Sequence, residues 1–158
     1  MRWTGSCSSK GTALLGVGVA LIAVAIGAFT LLAFRGTREP AWPGWFSIAV
    51  GLLVAFLAYN FSSLRVHAKE TAVSIRFGPF GWPGRVIAYA DIESADAIMV
   101  DPMKWGGWGY RWIPWAKASA AVIRKGPGIE LLLKDGRRFA VTVEDAVTGA
   151  QTISAQLN

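Results

Sequence analysis

The chain has 158 residues, of which 53% are hydrophobic and only 16% are charged. Its mean hydropathy of +0.40 is high for a soluble domain, so a large apolar segment must lie somewhere in the chain. One cysteine and one histidine exclude an internal disulfide and a metal site built from these residue types. The length suits one small domain with an appendage.

Two long uncharged segments account for the high hydropathy. Residues 12–34 and residues 45–64 contain no charged side chain, and each has about the 20 residues that a helix needs to cross a bilayer. A secretory signal has a shorter apolar core, of about 7–15 residues, followed by a small-residue cleavage motif. The sequence therefore predicts a retained transmembrane hairpin over residues 12–64, after an N-terminal segment over residues 1–11.

Basic residues near the two spans predict the orientation of the hairpin. The connection between the spans carries Arg35 and Arg38. More basic residues flank the hairpin on its other side, namely Arg2, Lys10, Arg65, Lys69 and Arg76. Because positively charged flanks stay in the cytoplasm, we expect a multi-pass plasma-membrane protein with both termini and the C-terminal domain in the cytoplasm.

Four residues at the ends of the second span are candidate membrane-interface anchors. Trp42 and Trp45 stand where the span begins, and indole rings prefer the membrane interface. Arg65 and Lys69 follow the span and can extend towards headgroups. We therefore expect membrane lipids to be direct partners of the chain.

Small residues recur at four-residue spacing within both spans. The pairs are Gly16 with Ala20, Ala23 with Gly27, and Gly51 with Ala55. Such spacing lets helices approach each other closely. Two interpretations stay open: the two spans pack on each other, or two copies of the chain form a homo-oligomer through these helix faces.

After the spans, apolar and polar residues alternate with period two, which indicates β-strands. Gly- and Pro-rich segments separate these strands, and Gly126-Pro127-Gly128 is predicted as a turn between two of them. The predicted strands cover residues 71–77, 85–89, 91–100, 107–113, 119–124, 129–133 and 139–143.

The last hairpin permits a prediction of strand register. A two-residue loop would pair Leu131 with Ala140 and put the apolar residues of the two strands on opposite faces. A three-residue loop over residues 134–136 pairs Leu131 with Phe139 and puts them on one face. Such loops end in a left-handed residue, and Gly136 has that position. We therefore predict the three-residue loop.

The C-terminal segment predicts an amphipathic helix that covers an open side of the sheet. Thr142 and Asp145 have the spacing of a capping box, and acidic residues suit a helix N-terminus. One apolar stripe at helical spacing consists of Ala146, Ala150, Ile153 and Leu157.

Strands followed by one C-terminal helix is the plan of pleckstrin-homology domains. The segments VSIRFGPFGWPGRVIAYADIESADAI, GWGYRW and LLLKDGRRFAVTVEDA resemble the bacterial pleckstrin-homology-like family of small membrane proteins, in which two spans precede such a domain. The resemblance covers residues 70–158 and implies an α+β membrane protein. Its domain is expected to be an antiparallel β-sandwich or barrel of about six or seven strands with a helical cap. The resemblance implies a fold and a membrane anchor, not a reaction.

Residues that could support catalysis are not clustered in the sequence. His67 lies just after the second span, and Asp91 and Glu93 would point to the opposite strand face from Asp96. We therefore expect no enzymatic activity, no cofactor and no metal site. The basic residues are better explained by membrane flanks and anionic lipid than by a nucleic-acid partner.

The segment WGGWGYRWIPW, residues 105–115, is the candidate interaction surface. Its aromatic and basic members are Trp105, Trp108, Tyr110, Arg111, Trp112 and Trp115. On a strand, Trp108, Tyr110 and Trp112 share one face, which predicts a stripe packed inside the sheet structure. Trp105 and Trp115 flank that strand beside lysines, and we expect them to contact lipid or a membrane partner.

Two functions are compatible with these features. The first is a non-enzymatic interaction module under the membrane, acting as an accessory or scaffolding subunit of a membrane protein complex. The second is a structural element or sensor that contacts anionic lipid headgroups directly. Arg76 and Arg85 in the first hairpin are separated by an apolar segment, so the sequence does not predict a dense basic pocket for a phosphoinositide headgroup.

Overall fold

The computed structural model describes residues 3–37 and 40–157. These residues form two units, one from residues 3–9 and 63–157 and the other from residues 10–37 and 40–62. Arg2 and Arg38, which belong to the charge pattern that predicts orientation, lie outside the described residues, as does Asn158 at the end of the predicted domain.

The smaller unit is a pair of antiparallel apolar helices. Helix α1 spans Lys10–Ala33 and helix α2 spans Trp42–Phe61, and both are long and apolar enough to cross a membrane. Their contact is made by small residues: Gly16 meets Ala58, and the Ser47 hydroxyl donates a hydrogen bond of 2.9 Å to the Ala23 carbonyl. The small residues therefore pack the two helices on each other, as the first of the two interpretations requires.

The larger unit begins with a strand that the sequence did not predict. Strand β1 (Trp3–Ser8) pairs antiparallel with β2 (Ser63–Ala68) along its whole length, from Trp3 opposite Ala68 to Ser8 opposite Ser63. The helical hairpin is therefore inserted between two neighbouring strands. The second predicted span reached residue 64, but α2 ends at Phe61 because the next residues already belong to the sheet.

Two more strands complete a four-stranded antiparallel sheet. Strand β3 (Ala72–Phe77) and strand β4 (Gly84–Ala88) follow β2 in chain order. Both agree with the predicted strands at residues 71–77 and 85–89.

The second sheet has five strands in the order β5-β8-β9-β7-β6. They are β5 (Ile92–Val100), β6 (Gly109–Ile113), β7 (Ala118–Val122), β8 (Gly126–Leu133) and β9 (Arg138–Thr142). All neighbours are antiparallel except β7 and β9, which are parallel. The described residues thus contain nine strands rather than the predicted six or seven.

The predicted turn at residues 126–128 is wrong. These residues begin β8, and β7 does not pair with β8. Strand β7 is buried along its whole length and is bonded on one edge to β6 and on the other to β9. No edge of β7 is left for β8.

The predicted register of the last hairpin is confirmed. Leu131 stands opposite Phe139, and residues 134–136 form the loop between the strands. Gly136 has a φ of 77°, the left-handed conformation that this loop requires. Leu131 and Phe139 are both fully buried, which shows that the register unites the apolar faces of the two strands.

The C-terminal helix α3 (Ala146–Ser154) packs on β5, β8, β1 and β2. Ala146, Ala150 and Ile153 are buried, as predicted, whereas Leu157 lies beyond the end of the helix and is half-buried. The cap differs from the predicted one. Asp145 is the capping residue and accepts a 3.3 Å hydrogen bond from the Thr148 N–H, because Thr142 is already part of β9.

The main core lies between the facing sides of the two sheets. The first sheet contributes Leu64, Val66, Ile75 and Phe77, and the second contributes Ile129, Leu131, Phe139 and Val141. Arg85 joins the two sides, since its guanidinium carbon lies 5.3 Å from the centre of the Phe139 ring.

Candidate interaction surface

Strand β6 forms one edge of the five-stranded sheet. Among the strands of the described chain, only β7 pairs with it. The register places Tyr110 opposite Ala121 and Trp112 opposite Ser119. Their side chains therefore point to the face that carries Phe139, which is the inner face of the sheet.

Tyr110 lies at the rim of the main core. Its ring centre is 6.3 Å from that of Phe139, and its hydroxyl oxygen accepts a 3.4 Å hydrogen bond from Arg85.

Arg85 and Arg76, the two arginines of the first hairpin, point to opposite faces of their sheet, because Arg85 stands opposite Ile75 and Arg76 opposite Gly84. The two guanidinium groups therefore do not converge.

Trp108 and Trp112 are exposed to solvent, so the predicted packed stripe is wrong. The exposed fraction is 59% for Trp108 and 71% for Trp112. The physical reason is the extent of the opposite sheet. That sheet ends at β4, whose Arg85 reaches Tyr110, and the described chain has no further strand beyond β4 to cover the neighbouring rings.

Trp105 is half-buried on the outer face of the five-stranded sheet. It packs on a small apolar cluster formed by Val100, Ala120, Val122 and Ala140. The guanidinium carbon of Arg138 lies 5.8 Å from the centre of the Trp105 ring, within the range of a cation–π contact. The ring predicted to be free for lipid or a partner is thus mainly a cover for this cluster.

The segment that carries Trp105 is fastened at its start. Residues Pro102–Trp105 form a short 3₁₀ turn, and the Met103 N–H donates a 3.1 Å hydrogen bond to the Asp101 carboxylate. The Lys125 ammonium lies 3.1 Å from the other carboxylate oxygen. The hydrogen bond from Lys125 is the main reason that the pKa of Asp101 lies below its usual range, and the hydrogen bond from Met103 adds to this lowering.

Trp115 is 87% exposed, in agreement with its prediction as an exposed ring. It belongs to a second short turn, Pro114–Ala116, which follows β6 directly. Beside it lies a groove of about 410 Å³ between Trp105, Ile113, Ala118 and Arg138. Most of the groove wall is apolar, and Lys104 and Arg138 supply positive charge at its rim.

The surroundings of β6 are positively charged. Lys104, Arg111 and Lys117 are exposed, and within residues 3–37 and 40–157 none of the three has a carboxylate at ion-pair distance. Arg138 differs, because it lies 3.5 Å from the Glu130 carboxylate. The edge strand therefore has exposed indole rings on both faces and unpaired cations beside them.

The four predicted interface anchors are in different places. Trp42 and Trp45 begin α2 and are exposed. Arg65 lies within β2, close to the end where α2 joins that strand. Lys69 follows the other end of β2, about 20 Å from Ser63, the first residue of the strand, at ~3.3 Å per residue. Arg65 and Lys69 thus belong to a rigid strand and its turn, not to a flexible linker.

The residues with chemically reactive side chains do not form a common site. Cys7 is buried in β1, and burial raises the pKa of its thiol. The His67 Nδ1 atom lies 3.2 Å from the Thr4 hydroxyl on the opposite face of the first sheet. Within the part of the chain that the structure describes, no group of three or more His, Cys, Asp or Glu residues could hold a metal ion.

The chain was compared with family models, with curated proteins and with solved structures. None of the three comparisons gives a match.

Proposed function

We propose that this protein is a membrane-anchored, non-enzymatic interaction module, in which a pleckstrin-homology-like domain faces the cytoplasm and acts as an accessory or scaffolding subunit of a membrane protein complex. The plasma membrane holds the apolar hairpin. The domain binds a segment of another membrane protein at the edge strand β6.

The connectivity of the strands supports the pleckstrin-homology-like assignment. Two hairpins are insertions: the helical one between β1 and β2, and the one formed by β6 and β7. Without them, β1 to β4 and then β5, β8 and β9 form two antiparallel meanders, followed by α3. These seven strands and one helix correspond to the plan that the sequence resemblance implies.

The outward-facing side chains of the helices support membrane insertion. Leu14, Leu21 and Phe29 of α1 and Leu52 and Phe56 of α2 are exposed in this unit. Apolar side chains of this size avoid water, and a bilayer would cover them. The helix contact itself needs only the small residues that face inward.

The observation that carries the proposed interaction is an open edge strand with indole rings on both faces. An unpaired strand edge offers backbone donors and acceptors to an added strand. Trp112 lies on one side of this edge, and Trp115 and the groove lie on the other. An added strand would therefore place alternate side chains against the two sets of rings, which gives both affinity and selectivity.

The charge around β6 defines the chemistry of the partner segment. Lys104, Arg111 and Lys117 surround the edge, so an acidic segment gains favourable electrostatics and a basic one is rejected. The indole rings favour apolar side chains between the acidic ones. We therefore propose an extended, acidic and apolar cytoplasmic segment of another membrane protein as the partner.

Purification of the full-length protein in mild detergent tests this proposal. The variant W112S/W115S should lose the bound partner, because two exposed rings of the surface are removed while the fold stays intact. The matched control is V147S, which removes an exposed apolar side chain from α3 and should retain the partner. Equal recovery of the same protein with both variants would show that β6 is not the binding site.

A further inference from the structure

The turn between β3 and β4 exposes two large aromatic rings. Phe80 is 65% exposed and Trp82 is 66% exposed. Gly78 and Gly81 supply the positive φ values of the turn. Two aromatic rings exposed to this extent offer an apolar surface for a contact outside the domain.

This turn lies at the end of the sheet that is joined to the apolar helices. The Gly78 N–H donates a 2.9 Å hydrogen bond to the Ser63 carbonyl, and Ser63 stands opposite Ser8. Only Ser9 separates β1 from α1, and only Ser62 separates α2 from β2. One residue spans at most about 3.6 Å. If the helices cross a bilayer, these connections keep this end of the sheet at the level of the headgroups.

Two arginines stand side by side next to the turn. Arg65 of β2 is directly opposite Arg76 of β3, and both are exposed on the outer face of the sheet. Like charges in this position destabilise a sheet unless an anion lies between them. Within residues 3–37 and 40–157, neither guanidinium has a carboxylate at ion-pair distance.

A small cavity connects the arginine pair to the aromatic turn. It has a volume of about 160 Å³ and is lined by Arg65, His67, Arg76 and residues 78–81 of the turn. The side chain of Arg76 runs along the turn, since a Cβ atom on Gly81 would lie 3.3 Å from its Cδ atom. A phosphate in this cavity would contact positive charge while Phe80 extends beside it.

We propose that this end of the domain is a bilayer-binding site for anionic lipids. Phe80 and Trp82 enter the interfacial layer of the leaflet, where aromatic rings are favoured. Arg65 and Arg76 bind the lipid phosphates, and their charge makes the contact depend on anionic lipid. The inference rests on the membrane insertion in the proposed function but not on the partner site at β6.

Depth-dependent quenching in the reconstituted full-length protein tests this site. Single cysteines at Pro79, Thr71 and Leu53 would carry an environment-sensitive fluorophore, and the buried Cys7 gives the labelling background. Pro79 reports on the turn, and Leu53 reports on the middle of α2. Thr71 lies in the turn at the other end of β2, about 20 Å further along the strands. The vesicles contain phosphatidylcholine alone or with phosphatidylglycerol.

We expect brominated lipids to quench the Pro79 probe several-fold more than the Thr71 probe, and aqueous iodide to show the reverse order. Phosphatidylglycerol should increase the lipid quenching at Pro79. The change F80S/W82S should reduce this quenching several-fold, because the turn no longer enters the interfacial layer, and V86S, which alters an exposed side chain of the same hairpin, should not. The change R65Q/R76Q should remove only the increase caused by phosphatidylglycerol, and K134Q should leave it in place.

Three results would overturn the inference. Equal iodide access at Pro79 and Thr71, with the Leu53 probe quenched by lipid, would refute the bilayer-binding site and leave the membrane anchor intact. A Pro79 probe shielded from both quenchers would mean that the turn binds protein rather than lipid. A Leu53 probe that lipid does not quench would refute the membrane anchor, and the bilayer-binding site with it.

Discussion

Ser8 and Ser63 stand opposite each other in the antiparallel pair of β1 and β2. A single residue separates Ser8 from the start of α1, and a single residue separates the end of α2 from Ser63. The helical hairpin thus leaves and re-enters the domain at neighbouring points of one sheet. The hairpin is therefore connected to this sheet through two single residues, Ser9 and Ser62.

The first prediction concerns the N-terminal strand. The Trp3 ring lies against Gly5 and Gly149, so it links β1 to α3. We expect W3A to lower the free energy of unfolding of the domain by about 2–3 kcal/mol, below the full range for a buried Trp because the ring is only half-buried. Chemical denaturation of the full-length protein in detergent measures this change.

The matched control for this prediction is W115A. Trp115 is almost fully exposed, so its removal should change the free energy of unfolding by no more than about 0.5 kcal/mol. Equal effects of W3A and W115A would mean that β1 does not contribute to the stability of the domain.

The second prediction concerns helix α3. Ile153 is fully buried, and I153A should cost about 2–5 kcal/mol because it leaves a cavity under the helix. V147A, on the exposed side of the same helix, should cost at most about 0.5 kcal/mol. Denaturation curves measure the change in the free energy of unfolding for both variants. A cost below about 1 kcal/mol for I153A would contradict the packing of the helix on the sheet.

The third prediction concerns the segment that covers the outer face of the five-stranded sheet. The pKa of Asp101 is held below its usual range, first by the hydrogen bond from Lys125 and then by the Met103 N–H. The ionised carboxylate therefore stabilises this segment above the ordinary Asp pKa of about 4, and the contribution is lost as the pH falls through the lowered value. At neutral pH, D101N should mimic that loss.

Hydrogen exchange of the full-length protein measures this effect. D101N should accelerate exchange of the amides in residues 103–107, whose turn bonds depend on the start of the segment. D96N changes an exposed carboxylate within β5, the strand that precedes Asp101, and should leave this exchange unchanged. Unaltered exchange in D101N would show that the segment does not depend on Asp101.

The fourth prediction concerns topology. A cysteine inserted beside Gly36, in the connection between α1 and α2, should react with an impermeant maleimide in intact cells, and T71C should react only after permeabilisation. Cys7 is buried and contributes little labelling. Labelling of T71C from outside would reverse the proposed orientation.

Local patterns were sufficient to predict parts of the fold. The register of Leu131 and Phe139 follows from turn geometry and from the apolar faces of two adjacent strands, and both are local properties. Strand β1 was not predictable in the same way, because its partner β2 follows only after the whole helical hairpin. Its residues are also mostly small or polar, which hides the alternation that indicates a strand.

The aromatic segment shows the limit of strand periodicity. Alternation gives the face on which Trp112 lies, but the exposure of its ring depends on where the opposite sheet ends. Trp105 is half-buried because the Pro102–Trp105 turn lies over Val100, Ala120 and their neighbours. Ala120, Val122 and Ala140 of this cluster are far from Trp105 in the chain, so no local signal predicts the contact.

Photocross-linking from β6 identifies what this edge strand binds in the membrane. A photoreactive amino acid replaces Trp112 in the full-length protein in native membranes, and the same amino acid replaces Val147 as the control. We expect position 112 to cross-link to an acidic, apolar cytoplasmic segment of another membrane protein and position 147 not to do so. Cross-links from position 112 to lipid alone, to a second copy of this chain, or to the same products as position 147 would contradict this expectation.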